Sequence, residues 1–113
     1  MVNDILTAAG VLYKQGSFPS APGVNYAVYF DDIEVTGPDR TGAAFEVGQP
    51  RVCKHDVTVE LYEPVPDDEI EAAIEAELDA RGLPWTKQDR YWVEKAQRYQ
   101  VIYEFTYYTK RRT

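Results

Sequence analysis

Residues 56–82 read DVTVELYEPVPDDEIEAAIEAELDARG and contain both periodicities that decide the fold. Val57, Val59 and Leu61 alternate with Asp56, Thr58 and Glu60, so an extended chain here has one apolar and one polar face. Pro64 and Pro66 close that strand. Asp67 can accept hydrogen bonds from first-turn amides, and the spacing predicts a helix from about Asp68 to Arg81, stopped by Gly82 and Pro84. Ile70, Ala73, Ile74, Glu77 and Leu78 form its stripe, narrow enough to pack on one sheet face. Asp67, Asp68, Glu69 and Glu71 sit at the positive end of its dipole and Arg81 at the negative end. A half-buried strand followed by a one-sided helix indicates an α+β domain.

Working outward, Val2, Ile5, Leu6 and Ala9 recur at helical spacing, with Asn3 or Asp4 available to the first-turn amides and Gly10 as a stop, which predicts a short N-terminal helix. Val11 to Phe18 suggests a short strand before the turn imposed by Pro19, Pro22 and Gly23. Asn25 to Val35 is dense in aromatic and β-branched residues and predicts a strand, interrupted at Asp31 and Asp32. Residues 36–50 hold Gly37, Pro38, Gly42, Gly48 and Pro50, the composition of a long hairpin excursion. Between Leu83 and Ala96, two short extended pieces are expected around a turn at Lys87 to Asp89. Tyr99, Val101, Tyr103, Phe105 and Tyr107 then alternate with their neighbours over the longest period-two run. This predicts a central or near-central strand, antiparallel to the one before it. Lys110, Arg111 and Arg112 are expected to fray.

The 113 residues, 44% hydrophobic and 27% charged, have the size and composition of one globular domain, with no second core and no disorder signature. Twelve Lys and Arg stand against nineteen Asp and Glu, and the net charge of -7 opposes nucleic-acid binding by bulk field. Charge placement says more than its total. Seven acids and one base lie between Asp67 and Arg81, whereas six bases and two acids lie between Arg90 and Thr113. An acidic helix and a basic C-terminal half suit either solvated faces or head-to-tail contact between identical subunits. The single cysteine, Cys53, precludes an internal disulfide, which fits a cytosolic origin, and the broken apolar run from Ile5 to Tyr13 suits neither a signal peptide nor a membrane span.

Candidate chemistry is sparse. Cys53 and His55, two residues apart on a strand, share a face but lack a nearby third ligand or orienting partner in the sequence, and are expected to be a strand-edge pair without chemistry. Asp31 and Asp32 suit a bulge or bend with solvated carboxylates better than a cation site, since neighbours on a strand point to opposite faces. Asp67 and Asp68 are explained by helix capping. No nucleophile elbow, dinucleotide fingerprint or phosphate loop occurs, and no catalytic residue, metal or cofactor is expected. The nine tyrosines suit a core edge or an oligomer interface.

In element order and in several stretches the chain resembles the tail terminator, or tail completion, proteins of long-tailed phages and prophages. The likeness lies in the Asp4-Ile5-Leu6 helix, the strand from Asn25 to Tyr29, the strand from Val57 to Tyr62 followed by an acidic helix, and the closing run from Gln100 to Phe105. It covers most of the chain outside the loop from Thr36 to Gly48. The resemblance implies a mostly antiparallel, curved sheet of about four to five strands with the N-terminal and the central acidic helix on one face. It implies a non-enzymatic virion neck protein, assembled in the host cytoplasm. Such a protein forms a homo-oligomeric ring, typically a hexamer, on the last ring of tail tube protein and faces a head connector or head closure protein. It binds no specific nucleic-acid sequence and no membrane, and a net-negative lumen would let DNA pass without sticking. Asp39, Arg40, Glu46 and Arg51, in and beside the loop, are the candidate interface residues. Alternatives are a head closure or head-tail connector role, a small ligand-binding domain or enzyme, and a regulatory protein with one partner.

Overall fold

The computed structural model describes residues 1–36 and 50–112, and the chain forms an α+β fold with two helices and a five-stranded sheet. The elements run α1 (Val2–Ala9), β1 (Leu12–Gln15), β2 (Tyr26–Thr36), β3 (Pro50–Glu63), α2 (Asp68–Ala80), β4 (Trp85–Val93) and β5 (Arg98–Arg112). The sheet order is β1-β2-β3-β5-β4, and every pair is antiparallel except β1 with β2.

β3 is the axis of the molecule. Its residues pair without a break with β5 from Pro50↔Arg112 to Glu63↔Tyr99, and with β2 from Val52↔Thr36 to Tyr62↔Tyr26. The alternation read at Val57, Val59 and Leu61 holds, and these three side chains are buried with Ala27, Tyr29, Val101, Tyr103 and Phe105. Helices α1 and α2 cover this face through Val2, Ile5, Leu6, Ile74 and Leu78. Asp67 caps α2 through its carboxylate, which accepts from the amides of Glu69 and Ile70, both at 3.1 Å. Gly10 closes α1 at φ 76°, a left-handed conformation that favours glycine.

Four local expectations are corrected. Asp31 and Asp32 do not interrupt β2, because the β3 ladder carries the strand through them in regular register. The turn expected at Lys87 to Asp89 is a register shift between Gln88 and Tyr91 within one strand, since β5 pairs with β4 on both sides of it. Lys110, Arg111 and Arg112 are not frayed in backbone: β3 begins early enough, at Pro50, to pair with them. At α1, Asn3 and Asp4 do not cap. The Asn3 amide oxygen accepts the Tyr29 hydroxyl at 2.7 Å, and Met1 occupies the cap position without a side-chain bond.

The narrow stripe of α2 is completed by charge. Glu71 is buried on it, and Glu63, the next inward position of β3 after Leu61, is fully buried beneath it. Arg90, carried in the irregular part of β4, answers both: it donates to Glu63 at 3.3 Å, to Asp68 at 2.7 Å and to Glu71. Lys87 reaches Glu71 at 3.0 Å and Glu75 at 2.9 Å, and the Tyr103 hydroxyl donates to Glu75 at 2.7 Å. Arg81 holds Glu77, and the Trp85 indole donates to Asp79. Three bases, Arg81, Lys87 and Arg90, thus answer four of the seven acids of this region within the chain.

Burial, reinforced by the neighbouring Glu71, pushes the Glu63 carboxyl up to about 7. Burial also opposes ionisation of Glu71, but Arg90 and Lys87 outweigh it and hold its pKa below the usual carboxylate value. A raised folded-state pKa means that the folded protein binds the Glu63 proton more tightly than the unfolded chain. Its stabilising contribution is present below about pH 4.5 and is lost as pH rises through about 7. Glu71 acts in the opposite sense, but only in more acid solution. Melting temperature should therefore fall as pH rises from 5 to 8, and Glu63→Gln, which keeps the site neutral, should flatten that slope; an unchanged slope in thermal melts of the variant would refute the assignment. Arg90→Met, which leaves buried carboxylates uncompensated, should cost about 3 kcal/mol or more in denaturant unfolding.

Candidate functional site

Beyond the helices the sheet narrows. β1 pairs only as far as Tyr29 and β4 only as far as Phe105, so among the described residues β2 from Phe30, β3 up to Thr58 and β5 from Thr106 continue as three strands. This arm contributes to the elongated shape of 55 × 29 × 21 Å. It displays apolar side chains that no helix covers: Phe30, Ile33, Val35, Val52 and Tyr108 are all exposed, Ile33 at 54% and Tyr108 at 64%.

The arm is held by a polar cluster at its root. The register sets Ile33, His55 and Tyr107 side by side across the three strands, with Asp31 and Thr109 on the diagonals. His55 Nδ1 lies 3.0 Å from both Asp31 carboxylate oxygens, and Nε2 lies 2.9 Å from the Thr109 hydroxyl. With the carboxylate as acceptor, Nδ1 carries a proton, and in neutral imidazole Nε2 accepts from Thr109. Tyr107 stacks on the imidazole with centroids 4.3 Å apart and planes 9° apart, and its hydroxyl approaches Asp31 at 3.5 Å. Burial and the Asp31 carboxylate raise the Tyr107 pKa, which keeps the phenol a neutral donor. The sheet therefore supplies partners for polar groups that would be costly to bury alone.

Two expectations change accordingly. Cys53 and His55 share a face as expected, but β3 is central, so they are not a strand-edge pair; both are buried. Asp31 is not solvated on a bulge. It turns inward to His55 while Asp32, one residue on, faces solvent, as an uninterrupted strand requires.

Asp31, His55 and Thr109 are connected in the order of an acid, a base and a hydroxyl. Acyl transfer would also need oxyanion donors and space beside the hydroxyl. A groove of about 910 Å³ lies instead where β4 begins, between Gly82–Thr86, Met1 and Phe105–Tyr108, and neither His55 nor Thr109 lines it. Among the described residues no cluster of three or more His, Cys, Asp or Glu side chains could hold a metal ion, and no helix is long and apolar enough to cross a membrane.

Of the four residues singled out from the sequence, Asp39, Arg40 and Glu46 lie outside the described residues, as does most of the expected excursion of residues 36–50. Arg51 lies on β3 at the far end of the arm, in register with Arg111. Sequence reasoning missed the Asp31–His55–Thr109 cluster and the Arg90 hub. A signal existed for one half of each: His55 and Glu63 both fall in the inward series that runs through Val57, Val59 and Leu61.

No protein-family model matches the sequence, and no curated protein matches it.

His55→Ala should destabilise the fold by about 2–3 kcal/mol, because it removes a ring stack and strands the half-buried Asp31 carboxylate. Thr109→Val, which removes one neutral bond, should cost about 1 kcal/mol or less. Equal losses in chemical denaturation would contradict this ordering.

Proposed function

We propose that the chain is a non-enzymatic structural subunit of a phage or prophage neck. It acts as a tail terminator, forming a ring on the end of the tail tube, stopping tube growth and presenting a surface to the head connector or head closure protein.

The observation that carries this reading is the arm. A three-stranded extension whose edges pair with no other strand among the described residues, with Phe30 and Tyr108 exposed on one face and Ile33 and Val35 on the other, suits contact with a protein surface. The α+β frame agrees with what the resemblance implies, from the N-terminal helix to the long closing strand. The polar clusters also agree, because both are spent on holding elements together: Arg90 ties α2 to the sheet, and His55 ties the three strands of the arm. On this reading residues 36–50 and Arg51 contact the tube or the neighbouring subunit.

The test is tube capping. Purified protein added to polymerising tail tube protein of the same phage or prophage should arrest elongation and leave a ring at one tube end in electron micrographs. Arg40→Glu together with Arg51→Glu should reduce the capped fraction. Tubes that lengthen unchanged in the presence of the wild-type protein would sink the terminator reading.

A further inference from the structure

The two edges of the arm differ in charge. Gly16 donates to the Tyr29 carbonyl at 3.0 Å, the last contact between the β1 segment and β2. Because N–H and C=O of one residue point to the same side of an antiparallel strand and alternate along it, Asp31, Ile33 and Val35 turn their backbone groups off the same side. From Phe30 to Thr36 no strand pairs with that side among the described residues, and none pairs with the outer side of β5 from Thr106 to Arg112. The two uncovered edges are equally long. The first carries Asp31, Asp32 and Glu34 and no base; the second carries Lys110, Arg111 and Arg112 and no acid. Asp32, Glu34 and Lys110 are exposed and make no ion pair with any described residue.

Open strand edges are templates for pairing, and proteins usually block them with charge. Here the charge blocks each edge against itself. Two copies of β2 joined antiparallel about Ile33 would set Asp32 directly against Glu34, and two copies of β5 joined about Thr109 would gather both sets of cations into one strand pair. The unlike edges attract.

We propose that the Phe30–Thr36 edge of one copy pairs with the Thr106–Arg112 edge of the next, so that the arms of successive copies form one continuous sheet. The occupant of each edge is a second copy of this chain. β2 and β5 both run antiparallel to β3 and hence parallel to each other. A rotation about an axis along the arm preserves that direction, so the new pair is parallel and the contact is head to tail, the kind that closes into a ring. Within one copy, Glu34 is level with Tyr108 and Thr36 with Lys110. A stagger of about two residues between copies, of the sort closed sheets require, places Glu34 beside Lys110 on the same face. The proposal rests on the terminator reading only in taking the assembly to be a ring, and names the surface that builds it.

The experiment uses the full chain in solution. Light scattering and native mass spectrometry of the wild type should give a closed oligomer. Asp32→Lys with Glu34→Lys, and separately Lys110→Glu with Arg112→Glu, should each reduce it to monomer while leaving the thermal melt of the monomer intact. An equimolar mixture of the two variants should restore a closed oligomer with an even number of copies, because each reversed edge finds its reversed complement. Amide exchange at Asp31, Ile33 and Val35 should slow on assembly. A wild type that stays monomeric at every soluble concentration overturns the pairing. So does an oligomer that survives both reversals, or a mixture that fails to reassemble. Arms that pair as expected on a protein that does not cap tubes would instead overturn the terminator reading alone.

Discussion

The unbroken pairing of β3 on both sides is the constraint on which the rest of the structure depends. From Val52 to Tyr62 the strand has a partner at every residue on two edges, so its register cannot slip without moving β2 and β5 with it. With the period of two, this commits Cys53, His55, Val57, Val59, Leu61 and Glu63 to one face at once. The middle of that series is apolar and supports the helices. Its ends are polar, and each polar end has to be answered where it falls.

The answers come from different strands and do different work. At the α2 end, Glu63 is met by Arg90, whose position in the irregular stretch of β4 lets one guanidinium span Glu63, Asp68 and Glu71. Burial of two carboxylates under one helix is tolerated because one is held ionised by Arg90 and Lys87 while the other is pushed toward the neutral form. At the other end His55 bridges Asp31 of β2 and Thr109 of β5, so that side-chain bonds reinforce the ladder where no helix covers it. Four of the seven acids between Asp67 and Arg81 are paired with bases of the same chain, and the two edges of the arm carry charge of opposite sign.

That division gives the arm its character. Three strands are bridged by a stacked His55–Tyr107 pair, and among the described residues neither outer edge of this extension pairs with another strand. Opposite charge on the two edges disfavours association of like with like and favours the head-to-tail pairing proposed above. The proposed terminator role and the proposed edge pairing both draw on these surfaces.

Much of the fold was legible because it is local. The alternation at Val57–Leu61, the Asp67 cap and the Tyr99–Tyr107 run each announce their conformation through spacing within one segment, and β3, α2 and β5 lie where that spacing puts them. The bounds were less legible. Asp31, Asp32 and Lys110–Arg112 read as breaks or loose ends by composition, yet they are strand, because ladder bonds from β3 outweigh weak local preference. The candidate site was legible only in part. That His55 and Cys53 share a face follows from their spacing, but that Asp31 and Thr109 stand beside His55 follows from register, a choice made between strands distant in sequence. By itself, then, the sequence determined which segments are helix and strand and which of their faces are apolar. Tertiary structure alone decided which acid meets which base and which strand edges are left open, because those contacts exist only once β3 has chosen its neighbours.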